Sequence, residues 1–196
     1  TNTPEDPGAK VTDLFSRRLR LEPLRSSHAS AVFAPLQDPR IYLYIPEDPP
    51  SAEGLQGRYD FLENARSPDG EERWLNWITF LRDSQTPIGT FQATLTPDGR
   101  GTFAYIVFPP YWRQGYGREM AVSALDHLFS TYPIAGLRAE MDTRNQGSVR
   151  LVESLGFVHE GTTVGADHFK GSSSDEFTYA MTQERWRART AQPRER

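Results

Sequence analysis

The segment from Gly101 to Ser130 constrains the fold of this chain more than any other part of the sequence. Alternating side chains predict a strand over Gly101 to Phe108, and an apolar stripe predicts a helix over about Gly115 to Ser130. Between them, Gly115 and Gly117 allow a sharp turn and a close approach of the backbone to a ligand. Such a turn leaves N–H groups unpaired at the start of the helix, where the helix dipole favours negative charge. The turn is therefore a candidate phosphate-binding site.

Two other phosphate-binding motifs do not fit this turn. No Gly-Lys-Ser/Thr sequence follows Gly117, so the turn is not a P-loop. A dinucleotide-binding turn needs a third glycine and an acidic residue about 20 positions on. Asp142 lies near that distance, but the third glycine is missing and Pro109-Pro110 precedes the turn. The glycine pair by itself is also compatible with a purely structural turn.

The composition places the chain among ordinary globular proteins and excludes several classes of function. The 196 residues are 24% charged and 37% apolar, which is typical of a single globular domain. A net charge of −4 disfavours a nucleic-acid partner. No run approaches the roughly 18 apolar residues of a membrane span and no signal-peptide pattern opens the sequence, so we expect no membrane partner and a cytoplasmic location.

The residues that commonly ligate metals are few or scattered in this sequence. There is no cysteine, which excludes disulfides, thiolate metal sites and a cysteine nucleophile. The four histidines show no ligand spacing, so we predict no metal site.

The order of predicted elements indicates the fold class. It reads strand, two helices, three strands, helix, strand, helix and two strands, with an Asp98-Gly99 turn between two of the strands. This order predicts an α+β fold with a single mixed, mostly antiparallel sheet of about seven strands, flanked by about four helices. One helix is expected from Ser26 or Ser27 to about Gln37. The segment Asp38 to Pro50 contains four prolines and is predicted to be a long irregular connection without a helix.

The domain boundaries follow from composition at the two ends of the chain. Residues 1–10 are polar and proline-rich and are expected to be a loose N-terminal segment. Residues 11–187 are predicted to form one domain, and residues 188–196 a solvated tail.

A second motif, later in the sequence, makes the hypothesis for the glycine turn more specific. The sequence Trp112-Arg113-Gln114-Gly115-Tyr116-Gly117 is followed by Asn145 and then by Leu155-Gly156-Phe157. With these motifs the chain resembles the GNAT superfamily of acetyl-coenzyme A-dependent N-acetyltransferases, and within it the branch of ribosomal-protein N-terminal acetyltransferases. The likeness extends loosely over residues 17–186, with the motifs confined to 105–157. Trp112 departs from the glutamine or arginine that is usual at its position.

The resemblance implies where acetyl-coenzyme A would bind. In the family the fourth strand splays from the fifth, and the pantetheine arm of the coenzyme enters the gap between them. The pyrophosphate would then contact the backbone amides of the turn, and the pantetheine the backbone of the fourth strand. The implied residues are Arg113, Gln114, Gly115, Tyr116, Gly117 and Arg118 for the turn, and Tyr105, Ile106 and Val107 for the strand. Asn145 is either a helix N-cap or a contact to the pantetheine.

The resemblance also implies candidate catalytic residues. Ser148 corresponds to a serine that hydrogen-bonds the coenzyme sulfur, a task that suits a hydroxyl donor. Many family members place a tyrosine four residues further on, where this chain has Val152. Asp167 corresponds to the general base of the branch, although an ordinary aspartate would need a raised pKa or a bridging water to deprotonate an ammonium. The alternatives for the base are Glu160, Glu47, Asp48 and His168.

The acceptor is the least defined part of the hypothesis. We expect its pocket to include Asp38 to Pro50, with Glu47 and Asp48, together with Trp77 and residues 160–175. The implied function is transfer of an acetyl group from acetyl-coenzyme A to a primary amine, with a protein N-terminus as one candidate acceptor. The alternatives are a small amine or antibiotic as acceptor, and a non-catalytic acyl-coenzyme A sensor. A monomer or a homodimer is expected.

Overall fold

The computed structural model of the protein describes residues 11–191, which form one eight-stranded sheet and five α-helices. The strands are β1 (Leu14–Phe15), β2 (Leu19–Pro23), β3 (Arg73–Leu81), β4 (Pro87–Leu95), β5 (Arg100–Val107), β6 (Gly136–Asp142), β7 (Val158–Phe169) and β8 (Ser172–Thr182). The helices are α1 (Ala29–Phe33), α2 (Ala52–Leu62), α3 (Tyr116–Thr131), α4 (Gln146–Ser154) and α5 (Gln183–Ala191). The expected loose segment 1–10 lies outside the described residues.

The sheet has the order β1-β2-β3-β4-β5-β6-β8-β7, and only β5 and β6 are parallel. The predicted α+β fold with a mixed, mostly antiparallel sheet is therefore confirmed. The strand beyond the predicted seven is the two-residue β1 at the sheet edge, which is too short to show an alternating pattern. The additional helix is α5, in which Trp186 is buried against Phe129 of α3. Residues 188–191, expected in the tail, belong to α5, and residues 192–196 lie outside the described part.

The predicted splay between the fourth and fifth strands is confirmed between β5 and β6. These two strands pair only from Arg100 opposite Gly136 to Thr102 opposite Arg138. On its other side, β5 stays paired with β4 up to Val107, which lies opposite Gly89. From Phe103 to Val107, β5 therefore has no strand partner on the β6 side in the described part of the chain, and a gap opens in the middle of the sheet.

The sheet separates two hydrophobic clusters. The larger one lies on the face covered by α3, α4 and α5, and the apolar stripe that predicted α3 is buried in it (Ala121, Leu125, Leu128 and Phe129). The smaller one lies under α1 and α2 on the other face and includes Ile78 and Phe80 of β3. Ile106 of β5 packs against the edge of this smaller cluster.

Two predicted segments differ from the structure because of proline. The helix expected from Ser26 to Gln37 is divided into a 3-10 turn, the short α1 and a second 3-10 turn that begins at Pro35, which has no N–H group for an α-helical bond. The Asp38 to Pro50 connection contains one 3-10 turn, Pro39–Tyr42, so the expectation of no helix there is wrong for four residues. The Asp38 side chain caps that turn by accepting a hydrogen bond from the Arg40 N–H at 3.0 Å.

The hairpin between β7 and β8 is tighter than the sequence indicates. β8 begins at Ser172 rather than at Asp175, and the turn consists of Lys170 and Gly171, with φ of 51° and 74°. Two successive positive φ values match the right-handed twist of the strands and allow a two-residue connection. The turn therefore forms a tight corner at one end of the sheet. Within residues 11–191, no helix combines the length and apolar character needed to cross a membrane.

Candidate active site

The glycine turn begins α3 with unpaired backbone amides. Gly115 is the N-cap of α3 with φ of 80°, and the Glu119 N–H bonds to its carbonyl at 3.1 Å. The N–H groups of the three residues before Glu119 have no carbonyl partner within the helix, as in any α-helix. They lie at the positive end of the helix dipole. The geometry of the turn fits a diphosphate.

Gly117 brings the turn close to the gap. A Cβ atom added to Gly117 would lie 3.1 Å from the Leu151 Cδ1 of α4 and 3.4 Å from the Val107 Cγ2 of β5. The first distance is tighter than most Cβ contacts, so a side chain here would require the Leu151 side chain to shift. Glycine at this position therefore allows the start of α3 to lie close to α4 and to the free edge of β5.

Arg18 contacts the glycine turn, although nothing in the sequence indicates this contact. Its guanidinium donates to the Gln114 carbonyl at 3.1 Å and to a Glu119 carboxylate oxygen at 2.7 Å, and it lies 4.2 Å from the centre of the Tyr116 ring. Burial raises the pKa of Glu119, but the hydrogen bonds from Arg18 and Ser16 outweigh burial and lower this pKa. Arg18 precedes the turn by almost 100 residues, so no local motif could have connected them.

The backbone of β5 divides its hydrogen-bonding groups between β4 and the gap. The Phe108 N–H donates to the Ile88 carbonyl at 2.8 Å, which identifies the pair as hydrogen-bonded. Since such pairs alternate along antiparallel strands, Ile106 also directs its N–H and C=O toward β4. Tyr105 and Val107 then direct theirs toward the gap. Three residues of β5 were expected to offer backbone groups to the coenzyme. The backbone of Ile106 is already hydrogen-bonded to β4, and the carbonyl of Val107 accepts the Trp112 indole N–H at 2.5 Å.

Ser148 and Tyr105 meet between α4 and the gap. The Tyr105 hydroxyl donates to the Ser148 Oγ at 3.3 Å, which leaves the Ser148 proton available for another acceptor. Burial raises the pKa of Tyr105, so the hydroxyl stays protonated near neutral pH. The Asn145 Oδ1 accepts the Ser148 N–H at 3.2 Å, so Asn145 is the N-cap of α4. The hydroxyl of Tyr105 has no signal in the sequence, because its partner Ser148 lies 43 residues away.

Asp142 and Arg144 fix the loop that leads into α4. The Arg144 guanidinium donates to both Asp142 oxygens, at 2.9 and 2.6 Å, and the Ser174 hydroxyl donates to one of them at 2.7 Å. The hydrogen bonds from Arg144 lower the pKa of Asp142 to about 2. Arg144 also donates to the Ser172 hydroxyl at 3.2 Å, so this loop is tied to the start of β8.

The acidic pair expected at the acceptor entrance is exposed and is held in place by the β7–β8 turn. The Lys170 ammonium donates to the carbonyls of Ile45 and Glu47 at 2.7 and 2.8 Å and lies 3.7 Å from the Asp48 carboxylate. The Asp48 side chain is 84% exposed. The segment that carries Glu47 and Asp48 therefore contacts the turn of the β7–β8 hairpin. This turn lies at the end of the sheet where the gap between β5 and β6 opens.

Trp77 does not lie at the acceptor entrance. Its side chain is 0% exposed, it packs against Phe91 in the larger core cluster, and its indole N–H donates to the Thr12 carbonyl at 3.0 Å. The alternation of β3 directs Trp77 to the face covered by α3, while Ile78 faces α1 and α2. The assignment of Trp77 to acceptor binding is therefore wrong.

Asp167 lies on the outer strand β7. It is exposed, is opposite Ser174 of β8, and accepts the N–H of the next residue, His168, at 2.7 Å. Its charge contributes to the raised pKa of Glu176 on β8, so these two carboxylates are neighbours. Within residues 11–191, no group of three or more His, Asp or Glu side chains has the arrangement of a metal site.

The comparison with known proteins gives a family for this site. Residues 18–158 match the family described as "Acetyltransferase (GNAT) domain". The chain is 25% identical over 174 residues to the uncharacterized N-acetyltransferase YoaA of Bacillus subtilis, covering 88% of this chain and 97% of the relative.

Two solved structures share the fold. RimL, a ribosomal L7/L12 alpha-N-protein acetyltransferase in complex with coenzyme A, has a TM-score of 0.76 at 17% identity, covering 87% of this chain and 97% of its own. The spermidine N-acetyltransferase of Vibrio cholerae, in complex with coenzyme A and spermine, has a TM-score of 0.76 at 21% identity, covering 87% and 99%. The chain therefore belongs to the GNAT acetyltransferase family and is an acetyl-coenzyme A-dependent N-acetyltransferase.

Proposed function

We propose that this protein transfers the acetyl group of acetyl-coenzyme A to a cationic primary amine at the gap between β5 and β6. The observation that carries the proposal is the break in strand pairing after Thr102, because it exposes backbone groups of β5 beside the amides at the start of α3. An extended molecule with a diphosphate at one end and amide groups along its length matches both sets of groups. Acetyl-coenzyme A is such a molecule, and it supplies an activated acetyl thioester.

Each part of the site has a separate task in this proposal. The amides of residues 113–118 hold the diphosphate, and the Tyr105 and Val107 backbones pair with the amide groups of the pantetheine. Ser148 donates its proton toward the sulfur as negative charge develops there. The hydrogen bond from Tyr105 favours this direction, because it occupies a lone pair of the Ser148 oxygen and leaves the Ser148 proton for the sulfur.

The acceptor reaches the gap from the face of the sheet opposite α4. Glu47 and Asp48 are exposed at the side of this approach, where their field attracts an ammonium group. A protein N-terminus and a small amine or antibiotic both carry such a group, and relatives that share the fold are named for each kind of acceptor. Because Glu47 and Asp48 are exposed rather than enclosed in a pocket, we favour a peptide N-terminus, with a small amine as the second candidate.

The alternative of a non-catalytic acyl-coenzyme A sensor predicts binding without turnover. The Tyr105–Ser148 hydrogen bond argues against a sensor, since binding alone does not need a donor oriented at the sulfur. A direct test is the release of free thiol from acetyl-coenzyme A in the presence of a panel of peptides and small amines. Acceptor-dependent release supports the enzyme, and calorimetric binding of the coenzyme without release by any acceptor supports the sensor.

A further inference from the structure

The side chain of Glu176 lies on the acceptor face of the sheet. Tyr179, three residues later on β8, faces α4, because its hydroxyl donates to the Glu153 carboxylate of that helix at 2.8 Å. Side chains alternate along a strand, so Glu176 faces the opposite side. Ser148 and Tyr105 belong to the α4 side, and Glu176 therefore lies across the sheet from them.

Glu176 is also at the level of the gap. It is directly opposite Asp142 of β6, while the pairing of β6 with β5 ends at Arg138, four residues earlier. Extending the parallel register puts Asp142 level with Ile106, in the part of β5 that is not paired with β6. Glu176 is therefore separated from the gap by one strand, and neighbouring strands lie about 4.8 Å apart.

The other carboxylates around Glu176 accept hydrogen bonds or are more exposed. Asp142 is held by Arg144 and Ser174, and its side chain is 1% exposed. Asp175 accepts the Gly165 N–H at 2.8 Å. Glu176 is half-buried, and no partner in a hydrogen bond or an ion pair is found for it within residues 11–191. A half-buried carboxylate without a cation is costly in the folded protein unless a proton or a cationic ligand reaches it.

The charged groups that face Glu176 come from both neighbouring strands. They are Glu140 and Asp142 on β6 and Asp167 on β7, with Arg144 already neutralised by Asp142. Burial, followed by the charges of Glu140 and Asp167, raises the pKa of Glu176. A raised pKa makes a carboxylate a better proton acceptor for an amine near neutral pH.

We propose that Glu176 is the group that accepts a proton from the acceptor amine. This inference rests on the proposed function and names the base of the same site in place of Asp167. The amine enters as an ammonium, loses one proton to Glu176, and its nitrogen lone pair forms a bond to the acetyl carbon while the carbon–sulfur bond breaks. The nitrogen loses two protons over the reaction. One passes through Glu176 to solvent, and the other ends on the coenzyme A sulfur.

The test compares Glu176→Gln with the rival base variant Asp167→Asn, using any acceptor that the wild type acetylates. Proton acceptance by a positioned side chain contributes about 10²- to 10⁴-fold, so Glu176→Gln is expected to lower kcat/KM by about 100-fold or more. The acidic limb of the pH profile that belongs to the base should disappear in Glu176→Gln and persist in Asp167→Asn. The control is Asp98→Asn, in the distant β4–β5 turn, which should keep wild-type turnover.

A readout without turnover separates catalysis from folding. Because the folded-state pKa of Glu176 is raised, the ionised carboxylate costs stability at pH 7, and this cost vanishes as pH falls below that pKa. Glu176→Gln should therefore have a Tm at pH 7 equal to or above that of the wild type. Its coenzyme A affinity, measured by calorimetry, should be unchanged.

The outcomes are distinct. Absence of acceptor-dependent thiol release in the wild type would refute the proposed function itself. An active wild type with Glu176→Gln equally active, or an acidic limb lost in Asp167→Asn instead, would overturn the assignment of Glu176 while leaving the function in place. A slow Glu176→Gln with lower Tm and weaker coenzyme A binding would show a structural role and would also overturn it.

Discussion

In the proposed site, the coenzyme side and the acceptor side of the gap are built from different kinds of contact. The coenzyme side consists of backbone groups: the amides at the start of α3 and the unpaired edge of β5. The acceptor side consists of side chains from three separated segments: residues 45–48, 142–144 and 169–176. Backbone sites need glycines at fixed spacing and therefore leave a local motif. Side-chain sites assembled from distant segments do not.

This difference predicts that the two sides respond differently to substitution. Changes on the coenzyme side should weaken coenzyme binding or slow the departure of the sulfur. Changes on the acceptor side should affect the amine and leave the coenzyme alone. The following experiments test this separation, from the largest expected effect to the smallest.

Gly115→Glu should have the largest effect on the affinity for acetyl-coenzyme A. It adds a negative charge at the start of α3 and a side chain at a φ of 80°, so acetyl-coenzyme A affinity should fall on the order of 100-fold. Gly115→Asn is the control, because asparagine tolerates positive φ and adds no charge. Calorimetry should show much weaker binding for the glutamate than for the asparagine variant. Equal affinities in two folded variants would refute the phosphate site.

Ser148→Ala should lower kcat by roughly 10- to 1,000-fold while the coenzyme affinity changes little, because the hydroxyl meets charge that develops only as the sulfur leaves. Ser154→Ala is the matched control on the same helix, where the hydroxyl donates to the Leu151 carbonyl at 2.7 Å. Steady-state kinetics should place Ser154→Ala at the wild-type rate. Wild-type turnover in Ser148→Ala would remove Ser148 from the mechanism.

Asp142→Asn tests the junction between the two sides. Hydrogen bonds from Arg144 lower the pKa of Asp142 from 3.8 to about 2, a shift worth about 2 kcal/mol of unfolding free energy at neutral pH. Since the folded-state pKa is lowered, this stabilisation is present above about pH 4 and is lost as pH falls toward 2. Urea unfolding should show the variant less stable at pH 7 and closer to the wild type at pH 2.5. A difference independent of pH would contradict the ion pair.

Tyr105→Phe should lower kcat by about 3- to 10-fold, the value of one hydrogen bond. In a Ser148→Ala background the same change should have no further effect, because the tyrosine acts through the serine. Tyr179→Phe is the matched control, since its hydroxyl also bonds to α4 but through Glu153. Additive losses from Tyr105→Phe and Ser148→Ala would show that the two hydroxyls act independently.

The combined Glu47→Gln and Asp48→Asn variant should raise KM for a cationic acceptor by roughly two- to fivefold, as expected of exposed charges. The effect should shrink at high salt, because exposed charges are screened, and acetyl-coenzyme A binding should be unchanged. Asp98→Asn, in the distant β4–β5 turn, is the control. An acceptor KM that does not change at any salt concentration would show that the segment only borders the site.

Local patterns in the sequence predicted the fold class and the glycine turn, whereas the splay was implied only by the resemblance to the GNAT superfamily. The sequence-based interpretation assigned Trp77 to the acceptor because an aromatic residue on a strand has two possible faces, and only packing against α3 decides between them. Arg18 and the Tyr105 hydroxyl were missed because their partners lie 96 and 43 residues away. Glu176 has no motif, since its position beside the gap follows from strand pairing alone.

The most direct test of the central claim is amide hydrogen exchange with and without acetyl-coenzyme A. The coenzyme should protect the amides of Tyr105 and Val107, which face the gap, and those at the start of α3. Ile106, whose N–H already pairs with β4, should change little, so protection should alternate along the strand. Uniform protection of residues 105–107, or no protection there and at residues 113–118, would contradict binding of the coenzyme in the gap.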